Sequence, residues 1–236
     1  MFDRSSVGHA HTTDDSPAYG VFQRETITAL LVGSILMFLT LAGMLFVADT
    51  ALAEWGQLLY TYPIVGVIVF GALLTAGRYA GLRGIGSNNY PLALAGATLS
   101  VFAYAWFGGL VLTPYDPSLY VPALAIAGAI TIGITLVAGA YVYATDSDLS
   151  HWARYSAGLF LIGFLVLVPA LVIQELLLIT FLCFLLGFLC DLVYEIWMTS
   201  NRNRSAVANG LALFIAFAGV FVHVLQLVLR VLTDRS

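Results

Sequence analysis

Residues Leu176–Met198 read LLLITFLCFLLGFLCDLVYEIWM, and this stretch decides what kind of protein the chain can be. Apart from Asp191 and Glu195 it carries no charge. A bilayer core is about 30 Å thick, so a helix that rises about 1.5 Å per residue needs about 20 mostly apolar residues to cross it. Hydrocarbon offers no water to the backbone, which favours a helix over other structures. The stretch therefore predicts a transmembrane helix.

Six further apolar runs of similar length surround this stretch. The chain is 61% hydrophobic and 9% charged, with a mean hydropathy of +0.95, whereas soluble domains are about 25% charged. We predict an all-α fold, a polytopic membrane helical bundle of seven transmembrane helices. Only Gln174 and Glu175 separate the fifth run from the sixth. The seven runs are Ile27–Ala48, Leu58–Ala80, Pro91–Leu112, Tyr120–Tyr143, Trp152–Ile173, Leu176–Met198 and Val207–Leu232.

The first 24 residues differ in composition from the rest of the chain. They are polar and lack the apolar segment of a cleaved signal peptide. We expect a disordered cytoplasmic tail over residues 1–24, followed by one seven-helix transmembrane domain over residues 25–236. A metal site in the tail is the alternative interpretation of its histidines and aspartates. These residues are His9, His11, Asp14 and Asp15.

The arginines predict an orientation in the membrane. The first, third and fifth loops contain none, whereas seven arginines precede the first helix or lie in or near the even-numbered loops. Positively charged residues favour the cytoplasmic side, so we expect a multi-pass protein of the cell membrane with a cytoplasmic amino terminus. Arg230 and Arg235, near the end of the last run, oppose this assignment. The seven are Arg4, Arg24, Arg78, Arg83, Arg154, Arg202 and Arg204.

Several function classes are excluded or disfavoured by residues that the sequence lacks. All nine basic residues are arginine, and retinal requires a lysine amine for its Schiff base, so a retinal protein is excluded. Phosphate-loop, dinucleotide-binding, HExxH and cysteine-pair motifs are also missing. We expect no enzyme activity, no resident cofactor and no nucleic-acid partner. Cys183 and Cys190 are expected to be small buried apolar residues, with a redox or metal role as the alternative.

Three ionisable residues inside the last two runs are the candidate functional groups. Each charge costs about 2.5 to 3.5 kcal/mol to insert into hydrocarbon. Asp191 is a candidate for proton sensing or for binding a cation such as Ca²⁺. Glu195 follows one helical turn later on the same face, and either shares that role or reaches interfacial water or Arg202. His223 is either a functional partner or a neutral histidine bonded to a neighbouring helix.

Arg78 stands near the predicted end of the second helix, on the side of the membrane toward which Asp191 is displaced. An ion pair between Arg78 and Asp191 could hold two helices together as a latch. The alternative is an arginine at a helix end that extends its side chain to water.

Short motifs along the chain resemble the Bax inhibitor-1 family, the transmembrane Bax inhibitor motif proteins. The loop Asp148-Leu149-Ser150 and the apolar run after it are similar to that family's entry into the fifth helix. The stretch Leu189-Cys190-Asp191 resembles its sixth-helix aspartate motif. Two further similar stretches are Phe107-Gly108-Gly109-Leu110 in the third run and Val228-Leu229-Arg230-Val231-Leu232 in the last.

The resemblance implies a seven-helix fold with a central last helix and, as in bacterial relatives, a pH-sensitive calcium leak. In those relatives two aspartates on the last two helices share a proton, and an arginine of the second helix is the latch. Asp191 matches the first aspartate and Arg78 matches the latch. Val220 stands where the second aspartate would be, and His223 stands where the family usually has asparagine.

The sequence therefore leaves two main hypotheses for function. One is a leak for Ca²⁺ or another cation, gated around Asp191 and Arg78. The other is a non-conducting regulatory protein that binds a membrane protease or another membrane partner, which the missing acid at Val220 favours. A proton-coupled transporter is a third hypothesis, but the chain shows no paired broken helices of the kind that class uses.

Overall fold

A computed structural model describes residues 24–60, 63–145, 147–201 and 204–234. The predicted tail, residues 1–24, lies outside the described residues except for the backbone of Arg24, where the first helix begins. The described part is all-α, with seven helices long and apolar enough to cross a membrane. The prediction of a polytopic membrane helical bundle is confirmed, and the chain is an integral membrane protein.

The described residues form eight α-helices. Seven are spans and one, α2, is short; a 3-10 turn at Pro117–Leu119 precedes α5. The helices are α1 (Arg24–Ala48), α2 (Leu52–Tyr60), α3 (Pro63–Gly86), α4 (Tyr90–Leu112), α5 (Tyr120–Ala144), α6 (His151–Ala170), α7 (Leu176–Asn201) and α8 (Ala206–Thr233).

The predicted bounds of the second and fifth spans were wrong. The second span was predicted to begin at Leu58, but it begins at Pro63, because proline suits the first position of a helix and Leu52–Tyr60 forms a separate helix. The fifth span was predicted to reach Ile173, but α6 ends at Ala170. Pro169 cannot donate a helical hydrogen bond, and its carbonyl accepts the N–H groups of Val172 and Ile173 in a turn.

The last helix is the centre of the bundle, as predicted. Its apolar window is 78% buried, against at most 39% for any other span in the described chain. It packs against α1, α3, α4, α5 and α7. Small residues allow this close packing, since Gly210 lies against Ala29 and Val32, and Gly219 lies against the ring of Phe188. At about 1.5 Å per residue, α8 is long enough to cross the bilayer completely.

Helices α3 and α4 form the closest pair. A side chain at Gly96 would overlap the backbone of Gly81, and one at Gly84 would overlap the backbone of Ala93. The tight connection between the two helices places Asn88 at a φ of 53°, and the side chain of Asn89 accepts the N–H of Leu92 at 3.2 Å. This packing extends α3 to Gly86, two turns beyond its predicted end, and fixes its position beside α8.

The spans form two groups on either side of α8. Helices α1 and α3 each pack on α4, and α7 packs on α5 and α6. Within the described residues α3 and α7 share no extended packing surface, although both lie on α8. We call the line between α3 and α7 the seam. Contacts across the seam therefore depend on long side chains.

Candidate functional site

Arg78 crosses the seam and binds two carboxylates of α7. Its Nη1 donates to Asp191, at 3.0 Å from Oδ2 and 3.3 Å from Oδ1. Its Nη2 donates to Oε1 of Glu195. Asp191 and Glu195 are four residues apart, so they share one face of α7 and present both carboxylates to one guanidinium. The predicted ion pair is present, and Glu195 is a second partner.

A second arginine completes the network. Arg204, in the connection between α7 and α8, donates from Nη1 to Oε2 of Glu195 at 3.0 Å. All four carboxylate oxygens of Asp191 and Glu195 thus accept from a guanidinium. We call these four residues the charge network: Arg78, Asp191, Glu195 and Arg204. Two positive and two negative groups balance, which is what allows buried charge in a low dielectric.

The charge network extends from the membrane surface into the hydrocarbon. Arg78 lies about 12 Å from the end of α3, and Asp191 about 15 Å from the end of α7, at about 1.5 Å per residue. Both ends are on the same side of the bundle. The side chain of Glu195 is 1% exposed and that of Asp191 10%, while the two arginines keep about a third of their surface. The carboxylates are therefore buried inside the protein, and the guanidinium groups form the exposed side of the charge network.

The prediction that Arg78 ends its helix was wrong, because α3 continues for two turns beyond it. Its guanidinium is bonded to α7 and does not simply reach water. Gly77 precedes Arg78 and packs on Gly96 and Ser100 of α4, so the backbone of α3 is held on one side while Arg78 points to the other. Tyr104 of α4 donates its hydroxyl to the carbonyl oxygen of Ile215 at 2.7 Å, which ties α4 to α8.

Sequence reasoning missed the full role of Glu195. It assigned Glu195 either to a shared role with Asp191 or to interfacial water or Arg202, and Arg202 lies outside the described residues. In the structure Glu195 is fully buried and holds two arginines, Arg78 and Arg204. The available signal was the four-residue spacing from Asp191, which places both acids on the face that Arg78 approaches.

His223 does not join the charge network. Its Nδ1 lies 2.8 Å from the carbonyl oxygen of Gly219, one turn earlier in its own helix, and not on a neighbouring helix as one alternative predicted. Its ring lies between Phe181 and Phe188, with centroids 5.3 Å away in each case. These two rings place it roughly 10 Å along α7 from Asp191. Val220, where the resemblance implies a second acid, is completely buried.

The described residues contain no group of three histidine, cysteine or acidic side chains that could hold a metal ion. Asp191, the predicted Ca²⁺ ligand, has both oxygens turned toward Arg78. A cation could bind Asp191 and Glu195 only by displacing a guanidinium. Cys183 and Cys190 are free and partly buried in α7, and Cys183 faces Gly163 of α6.

No protein-family model, no curated protein and no solved structure matches this chain. What the protein does must therefore be inferred from its own residues.

Proposed function

We propose that this integral membrane protein is a pH-sensitive cation leak of the Bax inhibitor-1 type, conducting Ca²⁺, with its gate at Arg78 and Asp191. The observation that supports the proposal is the guanidinium of Arg78, which crosses the seam to bind Asp191 and Glu195. A tethered cation already occupies the carboxylates that a mobile cation would need. The latch and the ion site are then the same place.

Protonation supplies the pH dependence in this proposal. An ionised Asp191 attracts Arg78, and protonation cancels the charge that does so. The latch weakens and the seam can widen, so cation flux should rise as pH falls. Ca²⁺ prefers carboxylate, carbonyl and water oxygens, and the carboxylates of α7 together with water offer that type of ligand once Arg78 has moved.

Glu195 takes the place of the missing second acid in this scheme. The resemblance implies a second carboxylate on the last helix, where this chain has Val220. Glu195 provides a carboxylate one turn from Asp191 on the same helix, and both contact Arg78. His223, about 10 Å away along α7 and enclosed by rings, has no part in the proposed gate.

The test is Ca²⁺ flux through purified protein in liposomes loaded with a calcium dye, between about pH 6 and about pH 8, on either side of neutral pH. Wild type should conduct more at the acidic end. Arg78→Gln should conduct at both ends, because the tethered cation is gone, and Asp191→Asn should lose the pH dependence. The matched control is Arg83→Gln on the same helix, since the Arg83 side chain is exposed and donates to Tyr79 of its own helix rather than across the seam.

A non-conducting regulatory protein is the second candidate function. Val220 is buried where the resemblance implies an acid, and every oxygen of Asp191 and Glu195 already accepts from arginine. Such a site would be a structural clamp, and the protein would bind a membrane protease or another membrane partner. This candidate predicts no flux from wild type, flux gained by Val220→Asp, and a partner that co-purifies from native membranes.

A further inference from the structure

The short helix α2 (Leu52–Tyr60) is the one described helix outside the seven spans. It connects the end of α1 at Ala48 to the start of α3 at Pro63. Both neighbours are apolar spans, so their adjoining ends mark one surface of the bilayer. Because α2 is too short to cross, it lies at that surface, on the side opposite Arg204.

One face of α2 is occupied by the protein. Ala53 is 4% exposed, and Gly56 lies so close to Leu110 of α4 that any side chain would overlap it. The indole N–H of Trp106, also from α4, donates to the carbonyl oxygen of Leu52 at 3.4 Å. These contacts orient the helix against the end of α4.

Two other faces of α2 remain open and differ in polarity. Leu52 and Trp55, three residues apart on one side, are 41% and 69% exposed. Glu54 and Gln57, also three residues apart, are exposed on another side. A helix with a protein-facing side, an apolar open side and a polar open side fits a boundary between hydrocarbon and water.

We propose that α2 lies in the plane of the bilayer interface, with Leu52 and Trp55 inserted at the boundary between headgroups and acyl chains. An indole ring suits that depth because it combines an apolar body with a polar N–H. Asp49 and Glu54 give this surface negative charge, which would repel anionic headgroups. The proposed contact is therefore between apolar groups, and it fits phosphatidylcholine, a zwitterionic lipid without net charge.

Depth-dependent quenching tests the proposal on the full chain in phosphatidylcholine vesicles. The emission of Trp55 is obtained as the difference between wild type and Trp55→Phe. Lipids brominated near the glycerol end of their chains should quench it about twofold or more, and lipids brominated near the methyl end less, as expected for an interfacial ring. Raising the salt concentration should leave both values unchanged. The control is Trp197, which is 7% exposed, measured in the same way with Trp197→Phe.

Two results would overturn the proposal. Trp55 emission that responds to a water-soluble quencher but to neither lipid would place α2 in water. Emission shielded from lipid and from water would mean that a protein partner or a second copy covers it.

Cysteine labelling tests the same proposal without fluorescence. A membrane-impermeant thiol reagent should label Glu54→Cys about tenfold faster than Leu52→Cys, because thiol reactivity follows access to water and ionisation. Wild type, with Cys183 and Cys190 inside α7, gives the background. Equal rates for the two variants would contradict the proposed orientation of α2.

Discussion

The charge network and the His223 site are two ways of keeping ionisable groups in a membrane. Arg78, Asp191 and Glu195 satisfy one another across two helices, so each depends on the positions of both. His223 bonds the carbonyl of Gly219 in its own helix, and its ring lies at a tilt between two phenylalanines of α7. A carbonyl oxygen only accepts, so Nδ1 carries the hydrogen of that bond.

Only one of these two sites can act as a switch. A bond within one helix survives any movement of that helix as a rigid body. A bond between α3 and α7 is lost when the two helices separate, and its loss leaves buried charge without a partner. The charge network should therefore be sensitive to substitution and to helix displacement, and the His223 site should be tolerant.

Replacing Arg78 by leucine should cause the largest loss in the free energy of unfolding. Asp191 loses the guanidinium that bonds both of its oxygens, and Glu195 loses one of its two arginine partners. Removing one member of a buried pair costs about 3 to 5 kcal/mol in the free energy of unfolding. The measurement is denaturation of the purified protein in detergent micelles, followed by circular dichroism.

Arg83→Leu is the matched control for Arg78→Leu, since an exposed arginine contributes at most about 1 kcal/mol. A double variant, Arg78→Leu with Asp191→Leu, should recover part of the loss because the unpaired charge is also removed. If Arg78→Leu and Arg83→Leu were equally stable, the charge network would not be what holds α3 and α7 together at the seam.

Gly96→Ala should cause the next largest loss in the free energy of unfolding, although Gly96 does not contact the charge network. A methyl group at Gly96 overlaps the backbone of Gly81, so α3 must move away from α4 and carry Arg78 with it. Forcing extra volume into close packing costs about 1 to 3 kcal/mol. The measurement is the unfolding free energy together with the spacing between labels on α3 and α7.

Gly71→Ala is the control on α3, because nothing lies within reach of a methyl group there. Alanine is the better helix former by roughly 0.5 to 1 kcal/mol, so Gly71→Ala should be neutral or stabilising. A Gly96→Ala protein as stable as wild type would show that the α3 to α4 contact can relax without cost.

The seven spans could be predicted from sequence because their composition requires them, whereas the central last helix was expected only from the family resemblance. Apolar runs of this length have no other stable structure in a bilayer. The short helix α2 was not predicted. The apolar residues Leu58–Tyr60 merge with the next apolar run, and only Pro63 indicates that a new helix begins there. Boundaries shifted where packing decided them, as at Gly84, whose contact with Ala93 extends α3.

The candidate site was only partly predictable, for a related reason. Opposite charges in the same half of the membrane indicate that Arg78 and Asp191 can meet. Which arginine of the α7 to α8 connection reaches Glu195 depends on how that connection turns; the prediction named Arg202, and in the structure Arg204 bonds Glu195. The position of His223 between two rings depends on the register of α7 against α8, which a single sequence does not specify.

Arg204→Gln should have a smaller effect than either substitution above. Glu195 keeps its bond to Arg78, and glutamine can still donate to the second oxygen, so the loss should be about 1 kcal/mol. High salt should reduce the difference from wild type, because Arg204 is partly exposed and its interaction is screened. Unfolding curves at low and high salt measure this. A loss as large as that of Arg78→Leu would place the main contact of Glu195 at Arg204.

His223→Phe should cause the smallest loss in the free energy of unfolding, and it tests whether the His223 site tolerates substitution. Phenylalanine keeps a ring between Phe181 and Phe188 and loses one hydrogen bond to a carbonyl that already belongs to the helical backbone. We expect a loss of at most about 1 kcal/mol and, in the liposome assay, an unchanged pH dependence of flux. His223→Ala, which also removes the ring between Phe181 and Phe188, should lower the free energy of unfolding further. The difference between the two variants measures the contribution of ring packing. If His223→Phe abolished the pH dependence while leaving stability intact, the proton-sensing group would be the imidazole, and the ion pairs at the seam would be structural.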